Sequence, residues 1–130
     1  MQSVHIPHDA HICDSVVITP MCVLGGISRI LKGANIGLGA SIHQHSVVGL
    51  YSIVATGAAV VKNVKPFSRH VPGKPISVND YAINKYGFVD QSDEIREYVL
   101  RDIKPTSPSL IEIIEKFELE HFKSKRAIYE

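Results

Sequence analysis

Val4-His5-Ile6-Pro7-His8-Asp9-Ala10-His11-Ile12 opens a stretch that runs to Val61 and obeys a six-residue rule. Every sixth residue from Ile6 is a branched aliphatic: Ile6, Ile12, Ile18, Leu24, Ile30, Ile36, Ile42, Val48, Val54 and Val60. Two places before each stands a small residue or valine, from Val4, Ala10 and Val16 through Cys22, Ser28 and Ala34 to Ala58. Neither a 3.6-residue helical period nor simple strand alternation keeps both columns in phase for so long. A fixed period marks a repeat architecture, and a hexad is too short to bury a core alone, so the repeats must stack. The physical reading is one short strand and one turn per hexad, three hexads making a triangular coil. Three columns then form the interior: Ile6/Leu24/Ile42/Val60, Ile12/Ile30/Val48 and Ile18/Ile36/Val54. Gly25, Gly37 and Gly49 follow the aliphatic position, whereas Gly33, Gly39 and Gly57 fall three residues after it, where tight turns need permissive dihedrals.

Composition narrows the function classes. With 130 residues, 45% hydrophobic content and a net charge of +1, the chain reads as one globular domain with an appendage. No apolar run reaches the ~18 residues of a membrane span, and the N-terminus lacks the pattern of a secretory signal, so a cytoplasmic location without membrane partners is expected. Up to Pro75 the charge is +4, and from Ile76 onward it is −3. A mildly basic solenoid suits a small anionic ligand; nucleic acid would call for a denser basic stripe. Cys13 and Cys22 form neither a disulfide framework nor a zinc motif, and Cys22 takes an inward position of the repeat.

The expected organisation is a solenoid with its exit loop over residues 1–75, then a connector and helical extension over 76–130. The repeat stops after Val61, and Pro66, Pro72, Gly73 and Pro75 predict an irregular exit. Ser92-Asp93-Glu94 reads as a helix start, with Ile95, Tyr98, Val99 and Ile103 on one face and Pro105 as its end. A second helix starts either at Ser107 with Pro108 in the first turn or at Ser109 with Glu112 as a capping box. Its inner stripe is Leu110, Ile113, Ile114, Phe117 and His121, widened by Ile111 and Phe122.

Counting in eighteens places chemistry. Residues 18 apart stack on adjacent coils at roughly strand spacing, ~4.8 Å, so His8, Gly26, Gln44 and Lys62 share one edge of the prism. His43 lies in the next column beside Gly25, and Asp9 stacks two coils from His45. An imidazole, a glycine backbone and a polar amide along one line of a rigid scaffold form a candidate cleft.

The hexad pattern resembles the hexapeptide-repeat proteins, which implies a short left-handed parallel β-helix of about three coils with a C-terminal α-helical hairpin. His5-Ile6-Pro7-His8-Asp9 resembles a motif of the UDP-N-acetylglucosamine acyltransferases. The likeness continues through Leu24-Gly25-Gly26, Ile42-His43-Gln44, Val48-Gly49, Lys62-Asn63-Val64, Val78-Asn79 and Gly87-Phe88. The His8-Asp9 pair is also similar to bacterial sugar N-acetyltransferases. Carried over, the resemblance makes His8 the general base, Asp9 the acid that orients it, and the Gly26 N–H the oxyanion donor. His5, His43, Gln44, Lys62 and Asn79 then bind substrate.

Several departures shape the expected donor. Thr56 stands where the family's glycine leaves room for a long acyl chain, and Asn84-Lys85-Tyr86 replaces a basic Lys-Arg-Arg. Ile27 replaces a further histidine of the family's site. The expected reaction is transfer of a short acyl group, acetyl from acetyl-CoA, to a nucleotide-linked amino sugar of surface polysaccharide or lipopolysaccharide synthesis. The alternatives are an acyl carrier protein thioester as donor to UDP-N-acetylglucosamine, or a non-catalytic scaffold. No bound cofactor or metal is expected. His8, His43 and His45 invite comparison with γ-type carbonic anhydrases, but that family's ligand spacing and arginine–aspartate companions are missing. Outward Val17 and Ile53 predict a covered flat face, and the resembling family implies a homotrimer with His8 facing a neighbour.

Overall fold

Each hexad folds as a two-residue strand followed by a tight corner. The structure, a computed structural model, describes Ile6 and residues 9–129. The first face joins β1 (His11–Ile12), β4 (Arg29–Ile30) and β7 (Val47–Val48). The second joins β2 (Val17–Ile18), β5 (Asn35–Ile36), β8 (Ile53–Val54), β10 (Ser68–His70) and β11 (Ser77–Val78). The third joins β3 (Val23–Leu24), β6 (Ser41–Ile42) and β9 (Ala59–Val60). Among β1 to β9 the pairing is parallel with partners 18 apart, as in His11↔Arg29, Val17↔Asn35 and Ser41↔Ala59. Leu24, Ile30, Ile36, Val48, Val54 and Val60 are fully buried inside, together with the small column Cys22, Ser28, Ala34, Ala40, Ser46, Ser52 and Ala58. Ser28 and Ser52 each donate to the carbonyl three residues back, Gly25 and Gly49, at 2.7 Å, so their buried hydroxyls are satisfied by the turn itself.

From Ser15 to Gly57 the corner residue three after the aliphatic is left-handed. Gly33, Gly39 and Gly57 have φ of 74°, 67° and 72°, as their type predicts. The same conformation is imposed on Ser15, Met21, Ile27, His45 and Tyr51. Ile27, β-branched at φ 58°, is the most strained of these, since a branched Cβ crowds the backbone there. Position in the stack overrides residue preference.

The solenoid does not stop at Val61. Val64 bridges Val48, and Arg69 pairs with Ile53, so the last coil is two residues shorter and runs on through β10. Asn63 makes this possible. Its Oδ1 accepts from the Val47 N–H at 2.8 Å, standing in for the main-chain acceptor that Ser46 offers to Arg29 one coil earlier. Its Nδ2 donates to His121 Nδ1 at 2.7 Å and to Ser124 Oγ at 2.8 Å. The Pro-rich segment that read as an irregular exit is therefore a shortened coil closed by β11, which pairs antiparallel with β10.

Three helices follow: α1 (Asp80–Lys85), α2 (Ser92–Arg101) and α3 (Pro108–Ser124). The sequence pattern predicted two, because α1 is too short to show a period. Ser107 is the N-cap residue of α3 with Pro108 in the first turn, so the Ser107 alternative is the correct one. Its hydroxyl bonds the Glu94 carboxylate rather than its own helix, which ties α3 to α2. α2 ends at Arg101, before Pro105, because Asp102 turns left-handed at φ 60° and Lys65 Nζ donates to the Tyr98 carbonyl at 3.2 Å. Ile103 thus lies outside the helix and is exposed, and so are Ile111 and Phe122, which the broader stripe had placed inward. A second core holds Leu31, Val47, Leu50, Tyr51 and Phe67 of the solenoid against Ile95, Tyr98, Leu110, Ile114 and Phe117 of the helices. α3 therefore packs on β7 of the first face and α2 against β11 at the edge of the second sheet, whereas Val17 on the second face and Val23 on the third remain exposed.

The tail closes the open end. The Asn63 N–H donates to the Ala127 carbonyl at 2.7 Å, and the Tyr129 N–H donates to the Asn63 carbonyl at 2.9 Å. Tyr129 stacks on His70, ring centroids 3.9 Å apart, and its hydroxyl accepts from the Val61 N–H at 2.9 Å. His70 takes the inward place after Val54, and among the described residues its buried Nδ1 has no partner. Burial holds the His70 pKa below its ordinary 6.5. The unfolded chain therefore binds this proton first, and the contribution present above about pH 6.5 is lost as pH falls from there toward the folded value. His121, lowered by burial against the opposing pull of Glu118, acts in the same direction. Replacing His70 with Phe keeps the stack on Tyr129 and removes the orphaned nitrogen. The variant is expected to gain about 1 kcal/mol at pH 7.5 and to lose less stability than wild type between pH 7.5 and 5 in thermal melts.

Candidate active site

Several of the expected site residues fall on the corner between the third and first faces. There Leu24 is followed by Gly25-Gly26, Ile42 by His43-Gln44 and Val60 by Val61-Lys62. A shallow groove of about 350 Å³ runs across it, lined by Gly25, Gly26, Ser41, His43, Gln44 and Val61 among others. The two glycines have different reasons. A Cβ on Gly25 would stand 2.4 Å from the Gln44 nitrogen, so only glycine lets the two coils approach. A Cβ on Gly26 would stand 3.3 Å from an Asp9 carboxylate oxygen, which places that carboxylate against the Gly26 backbone.

Among the described residues the Gly26 N–H takes no part in the backbone ladder between coils. At the corners after Ile12, Ile18, Leu24, Ile30, Ile36 and Val48 the residue two after the aliphatic accepts, through its carbonyl, from the left-handed residue one coil on. Gly26 accepts from His45 N–H at 3.1 Å, Asp14 from Gly33 at 3.0 Å and Leu38 from Gly57 at 2.7 Å. The N–H of that same residue has no backbone acceptor among the described residues. Pro20 and Pro66, which have no N–H at all, occupy equivalent corners, so the stack does not need this donor. Among the described residues the Gly26 N–H is thus left without a backbone acceptor, which an oxyanion donor must be.

Of the expected site residues, the structure gathers Asp9, Gly26, His43 and Gln44 at this corner. His5 and His8 lie outside the described residues. Lys62 does not line the groove; its ammonium sits 6.0 Å from the Tyr129 ring centroid, beside the tail. Asn79 is not in the groove either. It is 6% exposed, donates Nδ2 to the Tyr51 carbonyl at 2.8 Å and accepts at Oδ1 from the Ala82 N–H, which makes it the N-cap of α1. Within one protomer its amide is committed to the fold. One residue was missed altogether: Arg126 Nη2 donates to His43 Nδ1 at 3.0 Å and to the Gln44 carbonyl at 2.9 Å. Its place depends on the tail crossing the solenoid end, which no local pattern announces. Among the described residues no three His, Cys, Asp or Glu side chains cluster as metal ligands, and no helix there is long and apolar enough to cross a membrane.

Comparison with known proteins bears on the fold. No protein-family model matches the chain. Over 90 residues it is 27% identical to acyl-[acyl-carrier-protein]–UDP-N-acetylglucosamine O-acyltransferase of Herminiimonas arsenicoxydans, covering 68% of this chain and 34% of that one. The enzyme of the same name from Burkholderia thailandensis is 28% identical over 90 residues, with the same coverage. Among solved structures, Arabidopsis UDP-N-acetylglucosamine acyltransferase superposes with a TM-score of 0.82 at 16% identity, covering 98% of this chain and 53% of that one. The Francisella novicida enzyme gives 0.72 at 24% identity, covering 97% and 52%. The chain has the fold of these acyltransferases, a left-handed parallel β-helix. It spans about a third of the length of the curated relatives it matches.

Proposed function

We propose that this chain is an acyltransferase that moves an acyl group from an acyl carrier protein thioester to a hydroxyl of a UDP-N-acetylglucosamine-like nucleotide sugar. The observation that carries this reading is the conjunction at one corner of a Gly26 N–H without a backbone acceptor among the described residues, the Asp9 carboxylate against Gly26, and the His43–Gln44 edge of the groove. In this mechanism His8 removes the proton from the acceptor hydroxyl as its oxygen attacks the thioester carbonyl. The Gly26 N–H stabilises the tetrahedral oxyanion, and its collapse expels the thiolate, which takes up a proton. Asp9 orients His8; His43 and Gln44, with His5, hold substrate. The donor assignment rests on the relatives, all of whose names specify acyl carrier protein.

Acetyl-CoA as donor is the second reading, favoured by one observation: exposed Thr56 stands where the resembling family has a glycine. The exposed apolar residues Val17, Met21, Val23 and Leu38 border the corner between the two uncovered faces. They support assembly as a homotrimer through these faces, with each groove completed by a neighbour. Turnover of UDP-N-acetylglucosamine with acyl carrier protein thioesters of graded chain length, compared with acetyl-CoA, tests the donor. Preference for a carrier-bound acyl chain is the expected result; turnover with acetyl-CoA alone would replace it with the second reading. Turnover with neither would remove both.

A further inference from the structure

The tail's cation is held too firmly to be incidental. α3 ends at Ser124, whose hydroxyl accepts from the Arg126 N–H at 3.2 Å. Lys125 turns the chain at φ 58°, and the Ala127 carbonyl accepts from the buried Asn63 at 2.7 Å. The backbone on both sides of Arg126 is thereby pinned to the solenoid end, and the guanidinium lands on His43 Nδ1 and the Gln44 carbonyl, at 3.0 and 2.9 Å.

A guanidinium only donates and stays charged throughout the accessible pH range. His43 Nδ1 must therefore present its lone pair, and the proton of the neutral ring must be on Nε2. Among the described residues Nε2 has no hydrogen-bond partner, while His43 itself lines the groove. We propose that Arg126 is a positioning residue that fixes His43 as the Nε2–H tautomer, so that His43 serves the groove as a hydrogen-bond donor to a substrate oxygen and not as a base. This rests on the acyltransferase reading for its substrate, and it divides the work between two histidines: His8 takes a proton, His43 offers one. The same contact ties the groove to the end cap, because the tail that delivers Arg126 also carries Tyr129 onto His70. Carbonyl or phosphate oxygen is the ligand chemistry that such a donor recognises.

Long-range ¹H–¹⁵N correlation spectra of the full chain read the tautomer directly, with the His43 signals assigned by their loss in His43→Gln. Wild type is expected to show the Nε2–H pattern alone. Arg126→Met, which keeps the aliphatic stem, should show a mixture of tautomers, and Arg126→Lys, which keeps a donor, should restore the wild-type pattern. In acyl-transfer assays the Met variant should raise KM for the nucleotide sugar or acyl donor about 10-fold, the scale of one hydrogen bond, with a smaller change in kcat. A wild-type spectrum with the proton on Nδ1, or a Met variant indistinguishable from wild type, would overturn the proposal. A changed tautomer with unchanged KM would overturn the substrate-facing role. Absence of acyl transfer in wild type would instead count against the function reading, and the spectra decide the Arg126–His43 contact either way.

Discussion

Gly25→Ala is expected to destabilise the chain by about 3 kcal/mol, the upper range for overpacking a rigid core. The added Cβ would meet the Gln44 nitrogen at 2.4 Å, the Gln44 Cα at 2.8 Å and the His43 carbonyl carbon at 2.9 Å. All three are backbone atoms of the next coil, so no side chain can swing aside. That coil is also held by its ladder, with the Gly25 N–H donating to the Ile42 carbonyl at 2.7 Å and the His43 N–H to the Val60 carbonyl at 2.8 Å. Relief requires the coils to part at the corner that forms the groove. Gly39→Ala is the matched control. A Cβ there meets nothing within 4 Å, and only the φ of 67° opposes it, at a cost of about 1–2 kcal/mol. Thermal melts should therefore rank wild type above Gly39→Ala and Gly39→Ala above Gly25→Ala. Equal melting temperatures for the two variants would show that close approach is not what selects glycine at Gly25.

The sequence carried the solenoid well, for a physical reason. In a stacked coil every inward position repeats the same environment, so Ile30, Ile36 and Val48 report the same constraint and their spacing reveals it. The conformational rule was only half visible. Gly33, Gly39 and Gly57 marked the left-handed corner, but Met21, Ile27 and Tyr51 occupy it too, because interchain-like stacking of coils outweighs the local preference. Where the count changed, legibility ended. The two-residue shortening at Asn63 shifted β10 out of the eighteen-residue frame, so Ser68–His70 read as loop. For α3 the buried stripe is Leu110, Ile113, Ile114 and Phe117; the flat first face reaches no further round the helix, which leaves Ile111 and Phe122 in solvent. At the site, the column arithmetic brought Gly26 and Gln44 to one edge with His43 beside them. It could not place Arg126, whose contact with His43 spans 83 residues of chain, nor foresee that Asn79 caps α1.

His8→Ala is expected to lower kcat/KM for acyl transfer by ~10²–10⁴, the usual contribution of a general base, while leaving the melting temperature near wild type. The expectation rests on the His8-Asp9 motif and on Asp9, whose carboxylate approaches the Gly26 backbone within the groove's corner. Asp9→Asn removes the charge that orients the imidazole but keeps its shape, so a smaller loss is expected there. An undiminished rate in His8→Ala would show that the proton leaves by another route.

The most direct measurement is the mass of the nucleotide sugar after incubation of the purified chain with UDP-N-acetylglucosamine and an acyl carrier protein thioester. The account predicts a product in which one acyl group replaces one hydrogen of the sugar, formed by wild type and at least ~10²-fold more slowly by His8→Ala. A nucleotide sugar left unchanged by wild type with every acyl donor would contradict it.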